Sequence, residues 1–152
     1  MNETPNNYYE CTATLEKVCH VLEIITDAAR IAGMDEKNIW KLETSLDEAC
    51  TNIVSYGYKD RTDGQLWINW KKAKNQFIIT IEDTGLAFDQ SEPTEPDLEC
   101  DISKREIGGL GRFIMAQFLD GMKYERNGDK NCLTLIKNLD AVQESVKQAA
   151  VS

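Results

Sequence analysis

The chain has 152 residues, of which 41% are hydrophobic, and this size and composition are typical of one compact domain with a buried core. Its formal net charge is −9 at pH 7. This charge argues against general binding to nucleic acids or anionic membranes, whose phosphates are bound by clustered Lys and Arg. It does not exclude a small anionic ligand, since a few backbone amides and one cation can hold phosphates in an acidic protein.

The termini and the cysteines indicate neither a targeting signal nor a metal site. The N-terminus has no basic segment followed by an apolar run, and no stretch of about 18 apolar residues occurs, so the sequence predicts a cytoplasmic protein. The five cysteines are scattered without a CxxC motif, and His20 is the one histidine. This pattern favours reduced thiols over a zinc site or a disulfide framework.

The first part of the chain predicts one strand and two amphipathic helices. Residues 7–13 can form the strand, and apolar residues then recur at helical spacing over about 15–31. The spacing resumes after Asp35, a residue suited to an N-cap, and continues to about Tyr56.

Two hairpins, a loop and a third helix are predicted to follow. Segments 65–73 and 76–83 have the alternation of a hairpin, and residues 84–108 have the prolines and acids of a long exposed loop. A glycine cluster opens a helix over about 110–119, and the sequence NGD then separates two strand-like runs of a second hairpin. Residues 140–152 predict a frayed tail, and residues 1–152 as a whole a single domain.

This order of elements predicts the α+β class: a two-layer α/β sandwich with helices packed on one face of a mixed, mostly antiparallel sheet. The order does not suit a dinucleotide-binding fold, in which strands and helices alternate through parallel crossovers. The sequence GGLG is also unlike a P-loop, because no Lys-Ser or Lys-Thr follows it.

Polar residues at three places are candidates for a site. Glu48 and Asn52 stand one helical turn apart beside an apolar stripe, where they form either a pocket rim or a solvated face. Asp83 ends an apolar strand, where it either accepts a hydrogen bond from a ligand or begins an ordinary turn. The glycines within 108–111 either bring backbone amides to an anion at a helix N-terminus or form a hinge.

Together these motifs are more specific than any one alone. An E-x-x-x-N helix, a strand ending in D-x-G, an irregular loop and G-G-x-G at a helix start resemble the GHKL ATPase superfamily, which has the Bergerat ATP-binding fold. The resemblance covers nearly the whole chain. The stretches LDEACTNIVSYGY, EDTGLAFD, GGLGRFIM and YERNGDKNCLTLIK look most like bacterial anti-sigma factor serine-protein kinases of the RsbW and SpoIIAB type.

The resemblance implies ATP and Mg²⁺ as cofactors. Glu48 would be the general base that accepts a proton from a hydroxyl of a partner protein, or from water, and Asn52 would hold Mg²⁺. Asp83 would accept the adenine amino group, with Gly85 leaving room for the ring and Thr134 in a supporting position on the final strand.

The same resemblance makes residues 84–108 an ATP lid, in which Arg105 or Lys104 would reach the γ-phosphate. Four residues at the start of the third helix would wrap the phosphates: Gly109, Leu110, Gly111 and Arg112.

The implied function is that of an anti-sigma factor and serine/threonine-protein kinase. It would phosphorylate an anti-anti-sigma, STAS-type partner and hold a sigma factor inactive when that partner is modified. A homodimer is expected, as in relatives, through an apolar seam on the first helix or on the exposed sheet face. A sensor histidine kinase is disfavoured, because the chain has no room for a separate phosphoacceptor hairpin and His20 lacks an acidic residue directly after it.

Two alternatives to this function remain open. Ala87 stands where many superfamily members have a second glycine after Gly85, which keeps a sequestering partner-switch protein with little or no ATP binding as one alternative. Another signalling kinase or ATPase of the same fold is the other.

Overall fold

The computed structural model of the chain describes residues 7–87 and 109–139. Within these ranges the elements follow the predicted order, whereas the predicted tail and most of the predicted loop lie outside them. The elements are β1 Tyr8–Thr12, α1 Leu15–Ala32, α2 Glu36–Asn52, a π-helical turn Ile53–Gly57, β2 Gln65–Ala73, β3 Gln76–Asp83, α3 Gly109–Phe118, β4 Gly121–Asn127 and β5 Lys130–Asn138.

The described strands form one sheet in the order β1-β2-β3-β5-β4, and each neighbouring pair is antiparallel. The α+β class is confirmed. Where a mixed, mostly antiparallel sheet was predicted, however, these strands form no parallel pair. Two-residue turns join β2 to β3 and β4 to β5, and such tight turns can connect only antiparallel strands.

Caps and apolar stripes explain the two long helices. Thr14 caps α1 by accepting a hydrogen bond from the Lys17 N–H. Asp35, the predicted N-cap, accepts one from the Asn38 N–H at the start of α2. No helix in the described part of the chain is long and apolar enough to cross a membrane. The apolar residues that the two helices bury are Val18, Val21, Ile25, Ala29, Ile39, Leu42, Leu46, Ala49 and Cys50.

The second helix departs from the prediction at its C-terminal end. Regular helix was expected to about Tyr56, but α2 ends at Asn52 and a π-helical turn follows. The Tyr58 N–H closes this turn by donating to the Ile53 carbonyl, five residues back, at 2.9 Å. Apolar spacing does not reveal the change, because Ile53 still continues the buried stripe.

Side chains alternate between the two faces of the sheet. Asp83 and Asn131 are in phase with the core residues of their strands, and Thr134 is in phase with the opposite face. The central strands bury Leu66, Ile68, Phe77, Ile79, Ile81, Leu133 and Leu135 in the core.

Candidate functional site

Glu48 and Asn52 form a hydrogen-bonded pair at the C-terminal end of α2. The Asn52 Nδ2 donates to Glu48 Oε2 at 3.0 Å, and Asn52 is only 8% exposed. Asn52 is therefore not part of a solvated polar face, which was the alternative for this pair. Because its Nδ2 is bonded to Glu48, its carbonyl Oδ1 is the atom left for a cation.

The donor set suits a Mg²⁺ ion that arrives with a ligand. Among the described residues, no group of three or more His, Cys, Asp or Glu side chains could hold a metal by itself. Mg²⁺ commonly binds proteins through one or two oxygen ligands and takes the others from phosphates and water. A single amide oxygen at Asn52 fits this mode of binding.

The π-helical turn brings the end of α2 against the residues that follow β3. The Gly57 carbonyl accepts a hydrogen bond from the Leu86 N–H at 2.8 Å, and a Cβ added to Gly85 would lie 2.5 Å from the same carbonyl oxygen. This backbone contact requires a glycine at position 85, for a reason different from the expected space for a purine ring. The contact also fixes the end of α2 relative to Asp83.

Asp83 is buried at the end of β3, with 4% of its surface exposed. Its Oδ1 accepts two hydrogen bonds, from the Gly85 N–H and from Asn131 Nδ2, both at 2.8 Å. None of the described residues donates to its Oδ2. Burial raises the pKa of Asp83, while the two hydrogen bonds and the nearby charge of Arg126 oppose the rise.

Asn131 is a site residue that the sequence analysis did not find. It is 3% exposed and lies opposite Asp83 in the β3–β5 pair. Its Oδ1 accepts hydrogen bonds from Arg126 Nη1 and from the Tyr124 hydroxyl, so its Nδ2 is directed toward Asp83. One feature of the sequence could have identified it: it is a polar residue at a strand position where the alternation of apolar and polar residues predicts burial in the core.

Thr134 does not lie beside Asp83. It pairs with Thr80 of β3, and its side chain is on the opposite face of the sheet, because its neighbours Leu133 and Leu135 point into the core. The supporting role predicted for Thr134 is therefore wrong in its placement. Asn131, three residues earlier, occupies the position that faces Asp83.

A second set of side chains holds Thr84. The Thr84 N–H donates to the Tyr58 hydroxyl at 2.7 Å, and that hydroxyl donates to the Gln65 carbonyl at 2.8 Å. Arg61 lies over the Tyr58 ring and donates to the Thr84 carbonyl at 3.2 Å. The Asn131 Nδ2 also donates to the carbonyls of Gly85 and Leu86, at 3.2 and 3.0 Å. With these contacts every backbone N–H and C=O of residues 84–86 is hydrogen-bonded, so the start of the predicted lid is fixed to its surroundings.

The third helix begins at Gly109, close to the predicted start, and is anchored at its other end. The buried Lys137 donates to the Phe118 carbonyl at 2.7 Å and forms an ion pair with Asp120 at 3.3 Å. The first residues of the helix are Gly109, Leu110, Gly111 and Arg112, whereas Lys104, Arg105 and Gly108 lie outside the described residues. A helix N-terminus offers backbone N–H groups and a positive dipole end to an anion.

Sequence comparison finds relatives over most of the chain. A family described as a histidine kinase-like ATPase domain matches residues 11–137. The serine-protein kinase RsbW of Listeria monocytogenes serovar 1/2a is 27% identical over 128 residues, which cover 81% of this chain and 82% of the relative. The anti-sigma F factor of Halalkalibacterium halodurans is 30% identical over 101 residues, which cover 65% of this chain and 69% of the relative.

Solved structures share the fold at low identity. The structure of the RsbU and RsbW domains of Rv1364c from Mycobacterium tuberculosis matches with a TM-score of 0.60 at 16% identity, over 89% of this chain and 33% of that chain. The blue-light activated histidine kinase EL346 of Erythrobacter litoralis matches with a TM-score of 0.56 at 15% identity, over 86% of this chain and 42% of that chain. These matches support the predicted architecture.

Proposed function

The chain belongs to the histidine kinase-like ATPase domain family, and from this premise we propose that it is an anti-sigma factor and an ATP-dependent serine/threonine-protein kinase. Its substrate would be an anti-anti-sigma, STAS-type protein, and it would hold a sigma factor inactive when that protein is phosphorylated. Relatives named serine-protein kinase and anti-sigma F factor, at 27% and 30% identity, support a role of this kind.

The observation that carries the proposal is the connection between two polar sites. Asp83 has one oxygen that no described residue occupies, and the Glu48–Asn52 pair stands at the end of α2. The π-helical turn links the two sites through Gly57. ATP needs such an arrangement, because its adenine requires a hydrogen-bond acceptor at one place and its phosphates require a cation at another.

Different residues of the chain would have different roles in phosphoryl transfer. Bound Mg²⁺ neutralises phosphate charge, and Asn52 would hold it. Glu48, kept in place by its hydrogen bond with Asn52, would accept the proton of the attacking hydroxyl. The backbone of residues 109–112 would contact the phosphates at the helix N-terminus, and Arg105 in the lid would reach the γ-phosphate.

The expected assembly and location complete the proposal. The protein would act as a homodimer in the cytoplasm, with ATP and Mg²⁺ as cofactors. Neither nucleic acid nor a membrane would be a direct partner, in keeping with the net charge of −9.

A sequestering partner-switch protein is the second candidate. It is favoured by Ala87, which is exposed and stands where many superfamily members have a glycine. Such a protein would bind the same partners but transfer no phosphoryl group.

A transfer assay with two glutamate variants separates these candidates. Each STAS-type protein of the source genome would be incubated with the chain and Mg-ATP, and phosphoserine would be detected by mass spectrometry. We expect Glu48→Gln to bind ATP within a few-fold of wild type but to transfer about 10²–10⁴-fold more slowly, because a positioned base is lost. Glu43→Gln, an exposed change on the same helix, should transfer at the wild-type rate. ATP binding by wild type without transfer to any STAS-type protein would contradict the kinase and favour sequestration.

A further inference from the structure

The two oxygens of the Asp83 carboxylate are in different environments. Oδ1 receives the Gly85 N–H and the Asn131 Nδ2, both at 2.8 Å, while none of the described residues donates to Oδ2. A carboxylate oxygen has two lone pairs for hydrogen bonds, so these two donors fill Oδ1. As far as the described residues are concerned, Asp83 is thus left with one oxygen for a ligand.

This asymmetry matters for the choice of purine. Adenine presents a single amino group beside an acceptor nitrogen, and one carboxylate oxygen is enough to bind it. Guanine presents two adjacent donors, its N1–H and its 2-amino group, and these match a carboxylate with both oxygens available. Bidentate pairing of this kind is stronger and more specific than a single hydrogen bond.

We propose that Asn131 sets the preference for adenine over guanine by donating to Oδ1 of Asp83, which leaves only Oδ2 for the base. This assignment rests on the proposed function, because it requires Asp83 to contact the base of a nucleotide. Asn131 is a positioning residue here, since it acts through Asp83 and not on the nucleotide itself.

Two neighbours on β4 fix the orientation of the Asn131 amide. Arg126 Nη1 donates to its Oδ1 at 2.8 Å, and the Tyr124 hydroxyl donates to the same atom. A flipped amide would place its NH₂ group against these donors and its oxygen against the carboxylate oxygen of Asp83. The Nδ2 therefore faces Asp83, and the pairing is built into the fold before any ligand binds.

The test compares the ratio of ATP to GTP affinity in wild type and in variants at position 131. Asn131→Ala removes the donor to Asp83. Asn131→Asp has the same shape and keeps an acceptor for Arg126 and Tyr124, but it replaces the Nδ2 donor by an oxygen. Dissociation constants would be measured by calorimetry with Mg²⁺, at a temperature at which circular dichroism shows each variant to be folded.

We expect wild type to prefer ATP and both variants to lose about tenfold or more of that preference. In the variants guanine could make a second hydrogen bond to the Asp83 carboxylate, and a hydrogen bond to a charged group is worth at least a tenfold change in affinity. Asn69→Ala, an exposed asparagine change on β2, should keep the wild-type ratio. If Asn131→Ala does not fold, Asn131→Asp decides. A purely structural role would lower the melting temperature without changing the ratio.

Three results would overturn the assignment. If the folded, ATP-binding variants keep the wild-type ratio of ATP to GTP affinity within about twofold, Asn131 does not determine nucleotide specificity. The proposed function would be unaffected. Equal wild-type affinity for ATP and GTP would do the same. A wild-type chain that binds neither nucleotide would overturn the proposed function, and this assignment with it.

Discussion

A close contact between backbone atoms fixes the end of α2 against the residues that follow β3. Gly57 and Gly85 touch through their backbones, and the Leu86 N–H adds a hydrogen bond of 2.8 Å to the Gly57 carbonyl. The contact is asymmetric, because a Cβ on Gly85 would point at the Gly57 backbone, whereas a Cβ on Gly57 would meet only ordinary neighbours. The two glycines therefore differ in how far they tolerate a side chain.

Two similar substitutions are expected to have different effects. In Gly85→Ala the new Cβ would lie 2.5 Å from the Gly57 oxygen, so the backbone must move, and we expect a loss of about 1–3 kcal/mol in the free energy of unfolding. In Gly57→Ala the nearest atoms are at 3.7 and 3.9 Å, and we expect a change below about 1 kcal/mol. Urea unfolding measures both values, and equal losses would contradict the described contact.

At the scale of elements, α3 is positioned from its C-terminal end. Lys137 of β5 caps the Phe118 carbonyl, and the Phe118 ring packs against the ring of Trp40 on α2 with centroids 5.2 Å apart. A cation at the C-terminus of a helix also complements the helix dipole. Because the N-terminus of α3 is the proposed phosphate site, these contacts help to fix where that site lies.

Loss of the lysine cap should affect both stability and binding. Lys137→Met keeps the apolar stem but leaves the partly buried Phe118 carbonyl without its donor, and we expect a loss of about 1–3 kcal/mol in the free energy of unfolding. ATP affinity should fall as well. Lys123→Met, which removes an exposed ion pair with Glu125, should cost less than about 1 kcal/mol. Equal costs in urea unfolding would show that the cap does not anchor α3.

Local pattern was sufficient for some elements and insufficient for others. The strands 65–73 and 76–83 have the predicted bounds, because alternation and turn residues are local signals. The π-helical turn was not predictable, since hydrogen-bond register is invisible in apolar spacing. Alternation along β5 already places Asn131 on the core face and Thr134 on the opposite face, so both could have been assigned from the sequence. That Asn131 lies opposite Asp83 could not, because this depends on a pairing between segments far apart in sequence.

At the scale of the whole molecule, the candidate site lies where the ends of three elements meet. The end of α2 contributes the Glu48–Asn52 pair, the end of β3 contributes Asp83, and the start of β5 contributes Asn131. The helices cover one face of the antiparallel sheet and hold these ends in place. We infer that this junction binds Mg-ATP.

Thermal unfolding of wild type and Asn52→Ala, with and without Mg-ATP, is the first measurement of binding at this junction. A nucleotide at about 100 times its dissociation constant stabilises a folded protein by roughly 2.7 kcal/mol. We predict that Mg-ATP raises the melting temperature of wild type, that chelation of Mg²⁺ removes most of this rise, and that Asn52→Ala shows little of it. An unchanged wild-type melting temperature at saturating Mg-ATP, or an equal rise in the two proteins, would contradict the account.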